Sequence, residues 1–190
     1  MVEAGPRVRS THTRLTLSVI SRTVPADASV VLSALPPEVR EGLSSAAPAA
    51  WIPAAWDAAL ARALCGVIGP AGARRVARLA MAESMSGTLL GGLASAALRL
   101  FGASPGDLYR WAGRAWAHLC RDSGTMRLES RAEGQAVVVL SGLPGELAVP
   151  EYLDAIAAGL EAILDVCEVR GDVEVGPAPD GARFVARWGG

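Results

Sequence analysis

The sequence predicts an α+β fold: an N-terminal helical part followed by a ββαββ antiparallel sheet half, with one layer of helices packed on the sheet. Three observations predict it. Residues 26–122 carry apolar side chains almost throughout at helical spacing. Residues 124–188 read strand, strand, helix, strand, strand, with Glu133-Gly134 and Pro179-Asp180-Gly181 at the two hairpin turns. No strand is followed by a glycine-rich phosphate loop of the kind that opens a nucleotide-binding α/β fold.

The elements follow in order. Residues 1–14 contain Arg7, Arg9 and Arg14 in a setting rich in serine, threonine and glycine, and read as a disordered lead-in to a single α+β domain over 15–190. A short helix is expected over 27–35 and another from Pro37, where proline suits the first turn. The stretch 44–53 reads as a linker with Trp51 as its one large side chain. Trp56, Leu60, Ala63, Leu64 and Val67 form a stripe over 54–68 that Gly69-Pro70 stops, and a further helix over 71–83 should expose Arg74, Arg75 and Arg78. Residues 86–101 are apolar nearly all round and read as a buried helix, in which Gly87, Gly91 and Ser95 permit close contact.

Ser104-Pro105-Gly106-Asp107 has the residues of a helix start, a serine cap, a proline and an acid. Leu108, Trp111, Ala112, Ala115, Trp116 and Leu119 then predict an inner face, with both tryptophans in the core. Met126 and Leu128 alternate with charged residues as in a half-exposed strand, and 136–140 is an uninterrupted apolar run. Pro150 opens the last helix, striped by Leu153, Ile156, Leu160, Ile163 and Leu164. Its far side carries Ala155, Ala158, Gly159, Ala162 and Val166 instead of charge, a strip expected to pack on a two-fold copy or, almost as readily, inside the chain. Opposite charges on 172–175 and 183–188 suit cross-strand pairing.

Composition removes several classes of function. The net charge is −1, which steers the surface toward neither nucleic acid nor anionic lipid. Hydrophobic residues make up 51%, yet no uncharged run reaches the ~20 residues needed to cross a bilayer, so no membrane insertion is expected and the cytoplasm is the default location. Cys65, Cys120 and Cys167 are dispersed and odd in number, as reduced core cysteines are.

Chemistry is poorly provided for. Only two histidines are present: His12 falls in the lead-in, and His118 at the boundary of an apolar helical face. Cys120 points to the opposite boundary, which works against a thiolate–imidazolium pair. Glu151, Asp154, Glu161, Asp165 and Glu168 gather on one side of the last helix and read as a solvated face. No metal site or catalytic residue is assigned. The tentative ligand pocket is built from Trp111, Ala115, His118 and Leu119, and the expected function is a binding or interaction module.

Residues Val31 to Arg40, with Leu35-Pro36-Pro37-Glu38 at their centre, and Trp51-Ile52-Pro53 resemble the opening of a myxobacterial paralogous domain family of unknown function. The likeness continues through Leu100-Phe101-Gly102, Pro105, Trp116 and Ser141-Gly142-Leu143-Pro144, with Ile52 replacing the usual aromatic. The order of elements also resembles a wider superfamily of 4-vinyl-reductase-type ligand-sensing domains, haem-based nitric oxide sensors and Bet3-like vesicle-tethering subunits. That resemblance implies a small apolar pocket between helices and sheet, often with a dimer interface. It departs at the cofactor: neither Tyr109 nor Tyr152 begins the tyrosine-serine-arginine pattern of the haem sensors, and the clustered cysteines of zinc-binding members are missing. The expectation is a non-catalytic cytoplasmic domain without a cofactor. It would sense a small apolar ligand or dock a protein partner, as a homodimer. The alternatives are a haem-based gas sensor with His118 as axial ligand and an enzyme acting on an apolar substrate.

Overall fold

A computed structural model describes residues 5–87 and 104–189. The buried helix expected over 86–101 lies, beyond Gly87, outside the described residues. The chain begins with strand β1 (Arg7–Arg9), then helices α1 (Ser10–Thr23), α2 (Pro25–Ala34) and α3 (Pro37–Ser45), strand β2 (Trp51–Pro53) and the long helix α4 (Ala54–Gly87). After the gap come α5 (Pro105–Tyr109), α6 (Ala112–Leu119), β3 (Cys120–Arg121), β4 (Thr125–Ala132), β5 (Gln135–Ser141), α7 (Pro150–Val166), β6 (Gly171–Ala178) and β7 (Gly181–Trp188).

The C-terminal half is the expected ββαββ unit. Its four strands run antiparallel in the order β4-β5-β7-β6, so the two hairpins meet along β5 and β7. Ala136, Val138 and Leu140 of β5 enter the core with Ala182, Phe184 and Ala186 of β7. At the edge, β4 buries Met126 and is half-exposed at Leu128 before a bulge lets it run out into solvent. Helix α7 covers the sheet through Leu160 and Leu164 and also lies along α4, forming the layer between sheet and helical half.

The reading of residues 1–14 as a disordered lead-in requires correction over 7–14. Residues 7–14 are ordered: Val8 pairs with both Ile52 and Cys120 in a small three-stranded sheet, β2-β1-β3, and α1 begins at Ser10. Short hydroxyl side chains mimic a disordered composition, but here those of Ser10, Thr13 and Thr16 find partners. Ser10 Oγ donates to the Ala47 carbonyl at 2.8 Å, Thr13 Oγ1 to Asp57 Oδ1 at 2.9 Å, and Thr16 Oγ1 to the His12 carbonyl at 3.2 Å. The stretch read as a linker therefore ends in β2, whose Trp51 is sandwiched between the guanidiniums of Arg9 and Arg121 at 4.0 and 4.1 Å.

Helix α4 bends where the sequence stops it. Gly69 has φ 76°, in the left-handed region that favours glycine, and Pro70 starts the second arm. Arg74 and Arg78 on that arm are not free surface charges, and the acidic side of α7 is not a solvated face. Glu161 is 4% exposed and takes charged hydrogen bonds from Arg74 and the Val173 amide, while Asp154 pairs with Arg74 and Asp165 with Arg78. Burial works against the Arg74 charge, but Glu161 and then Asp154 more than offset it, and the guanidinium holds its proton more firmly than usual. The arginines dock α4 onto α7, Arg74 also donates to the Val173 carbonyl of β6, and the Val173 amide donates to Glu161 of α7.

The smooth strip on α7 is likewise internal. Ala158 and Ala162 are completely buried within the chain, and Gly159 stands against the Met81 side chain of α4. At Gly159 the second arm of α4 covers it, and Ala158 and Ala162 leave no exposed surface for a two-fold copy to meet.

The expected long helix after Ser104 is two short ones. The capping box forms, with Asp107 accepting from the Ser104 backbone amide at 3.2 Å, yet the chain turns at Arg110-Trp111. That turn resets the helical phase. Tyr109 becomes fully buried and donates its hydroxyl to the Leu160 carbonyl at 3.0 Å, whereas Trp111, placed in the core by unbroken periodicity, is 56% exposed and stacks with Arg114. Trp116 is buried as expected, its indole N–H donating to the Gly124 carbonyl at 3.2 Å.

Candidate functional site

Helices α1, α4, α6 and α7 line a partly open cavity of about 230 Å³, with Val8, Cys120 and Met126 on its sheet side. The sequence leaves this space open because small residues face one another across it. Ala73 and Ala77 of α4 oppose Ala155 and Gly159 of α7, where larger side chains would fill the volume. On the other side α6 comes close to β4: a Cβ at Gly113 would meet the Met126 carbonyl oxygen at 2.5 Å. This contact holds Ala115, Trp116 and Leu119 against the opening.

Most of the wall is apolar, from Leu60 and Leu64 on α4 to Ile156, Leu160 and Ile163 on α7. Polar residues interrupt it in several places, Glu151 and Cys65 among them. Arg74 and Asp154 meet at the wall, already paired with each other. His12, Thr16, Asp57, Cys120 and Tyr152 form a further polar group along the α1 side. Asp57 accepts from Thr13, and its second oxygen lies 4.0 Å from His12 Nε2. His12 Nδ1 is buried and has no hydrogen-bond partner among the described residues.

The Tyr152 hydroxyl and the Cys120 thiol are both pushed far up, first by burial and then by the charge of Asp57. At neutral pH both keep their protons, so neither supplies an anionic nucleophile. Among the described residues no cluster of three histidine, cysteine, aspartate or glutamate side chains is arranged to hold a metal ion. The three cysteines are free.

Of the four residues assigned to a pocket by sequence, Trp111, Ala115 and Leu119 lie on the cavity wall. His118 does not. It is exposed on the outer side of α6 and is absent from the wall. The residues that sequence reasoning missed are His12, Thr16, Asp57 and Tyr152. The only signal for His12 was an isolated histidine among small polar residues, and its meaning depends on α1 docking beside Asp57.

No protein-family model and no curated protein matches the chain. Among solved structures, the chain is similar to an Fe(II) unliganded H-NOX protein mutant from K. algicida, with a TM-score of 0.64. The match covers 96% of this chain and 97% of that chain at 6% identity. The fold is therefore H-NOX-like, an α+β arrangement within the wider resemblance read from the order of elements.

Haem held by His118, the alternative read from the sequence, does not fit the described residues. His118, the axial ligand of that alternative, faces solvent outside the cavity. Tyr109 has spent its hydroxyl on Leu160. The volume of about 230 Å³ also lies below the roughly 300–1,000 Å³ that drug-sized ligands occupy, a class in which a tetrapyrrole is large.

Proposed function

We propose that this chain is a non-catalytic, regulatory sensing domain that takes a small, largely apolar ligand between its helices. The observation that carries the reading is the cavity itself: a mostly apolar wall on α4, α6 and α7, interrupted by a few polar groups, which is the usual make-up of a small-molecule site. The fold is compatible with it, since the similar solved protein is an H-NOX protein described as Fe(II) unliganded. The proposal extends to membership of the myxobacterial paralogous family, supported by Leu35-Pro36-Pro37 at the α2–α3 junction and Trp51-Ile52-Pro53 as strand β2. A cytoplasmic setting belongs to the same reading. No helix among the described residues is long and apolar enough to cross a membrane.

Docking of a protein partner is a second reading favoured by one feature. Trp111 lies on the cavity wall and is 56% exposed, with Arg114 stacked at 4.5 Å, so its outer face is available to report what the cavity holds.

The ligand reading is tested by calorimetric titration with p-xylene. Saturable one-to-one binding with a dissociation constant below about 1 mM is expected. Ala155→Phe, which fills the cavity from α7, should abolish the binding while leaving the protein folded. Absence of binding up to the solubility limit, or equal binding by a folded Ala155→Phe variant, contradicts the proposal.

A further inference from the structure

The small β2-β1-β3 sheet has two faces of different character. Val8 of β1 is buried between its register partners Ile52 of β2 and Cys120 of β3, which are buried too, and Val8 and Cys120 line the cavity. Alternation along each strand sends Arg7, Arg9, Trp51 and Arg121 to the opposite face, where Arg7 stands across from Arg121 and Arg9 across from Trp51. One thin sheet is thus cavity wall on the inside and a surface of arginine and tryptophan on the outside.

That outer face is ordered and its charge is unmatched. The Trp51 ring stacks with the Arg9 and Arg121 guanidiniums at 4.0 and 4.1 Å, and Arg9 also donates to the Ala49 carbonyl at 2.8 Å. Each guanidinium has five N–H donors, so most remain unspent. Among the described residues neither Arg9 nor Arg121 is ion-paired with a carboxylate, whereas Arg22, Arg74 and Arg78 all are. Arg14, exposed on α1 and donating to the Ala46 carbonyl at 3.0 Å, adds a further charge beside the chain that leads into β2. A molecule of net charge −1 therefore gathers positive charge on one short sheet. Carboxylates complement it best, because the planar guanidinium fork takes a carboxylate in two parallel hydrogen bonds. A nucleic acid fits less well, since the Trp51 ring already carries two guanidiniums and is not open to a base. We infer that the outer face of this sheet docks an acidic segment of a protein partner. Arg9 and Arg121 hold its aspartate or glutamate side chains, and Trp51 keeps the two guanidiniums in place.

Fluorescence anisotropy with a fluorescein-labelled decapeptide of alternating aspartate and glutamate tests the contact. The full chain should bind it saturably, with a dissociation constant below about 100 µM at ~50 mM salt, and lose it as the salt is raised. Arg121→Gln should weaken binding about tenfold, the scale of one charge-assisted interaction, whereas Arg40→Gln, at an exposed position on α3, should change it less than about twofold. In the native protein the Trp51 indole N–H resonance should move on adding the peptide, which reads the contact without any variant. No saturable binding, an unmoved Trp51 resonance, or equal losses from the two variants overturns the inference. So does tighter binding of a labelled oligothymidylate or of phosphatidylserine vesicles, either of which would make this face a nucleic-acid or membrane surface instead.

Discussion

Trp116 and Trp111 belong to the same apolar stripe in the sequence and have opposite fates in the fold. Trp116 is 9% exposed and Trp111 56% exposed, so their truncations should separate. Trp116→Ala removes a packed indole and its hydrogen bond to Gly124, and is expected to cost about 3–5 kcal/mol. Trp111→Ala should fall within about 0.5 kcal/mol of the native protein, as exposed substitutions usually do. Denaturant midpoints of the two variants check this: similar large losses would place Trp111 in the core after all. The difference arises at Arg110-Trp111, where the turn restarts the helical phase and hands the buried position to Tyr109. Periodicity alone could not reveal that break, because Trp111 sits at correct helical spacing on both sides of it.

Among the elements, the pairing of α4 with α7 rests on charge as well as on apolar contact. Glu161 is nearly inaccessible, and Arg74 is its principal counter-ion. Arg74→Met strands that carboxylate and should cost about 3–5 kcal/mol, whereas adding Glu161→Gln removes the charge, keeps an acceptor for the Val173 amide and should return much of the loss. Chemical denaturation of the single and double variants reads the coupling; additive losses would mean that the two groups act independently. The sequence displays the residues of this network but not its geometry, since an acidic run on a helix face has the same pattern whether water or an arginine lies opposite. Elements with local signals were legible: the Ser104–Asp107 cap, both hairpins and the Gly69-Pro70 bend. The small sheet was not. Its strands come from 7–9, 51–53 and 120–121, each too short for a period to register, and their pairing exists only after the chain has folded back twice.

At the scale of the whole molecule, the helical half and the ββαββ half meet along α7, and the cavity lies where small residues of α4 and α7 face each other. Within the strip, Gly159 helps build this junction against Met81, while Ala158 and Ala162 are fully buried. Three of the four predicted pocket residues reach the cavity wall, because the apolar face of α6 could be read from sequence. The polar side of the cavity could not, because it depends on α1 docking across α4. Methyl chemical-shift mapping with p-xylene tests the account most directly. Resonances of Leu60, Leu64, Met81 and Ile163 on the cavity wall should move together and saturate, while those of the exposed Val30, Leu32 and Val175 stay in place. Shifts confined to the exposed residues, or no saturable shift on the wall, would contradict it.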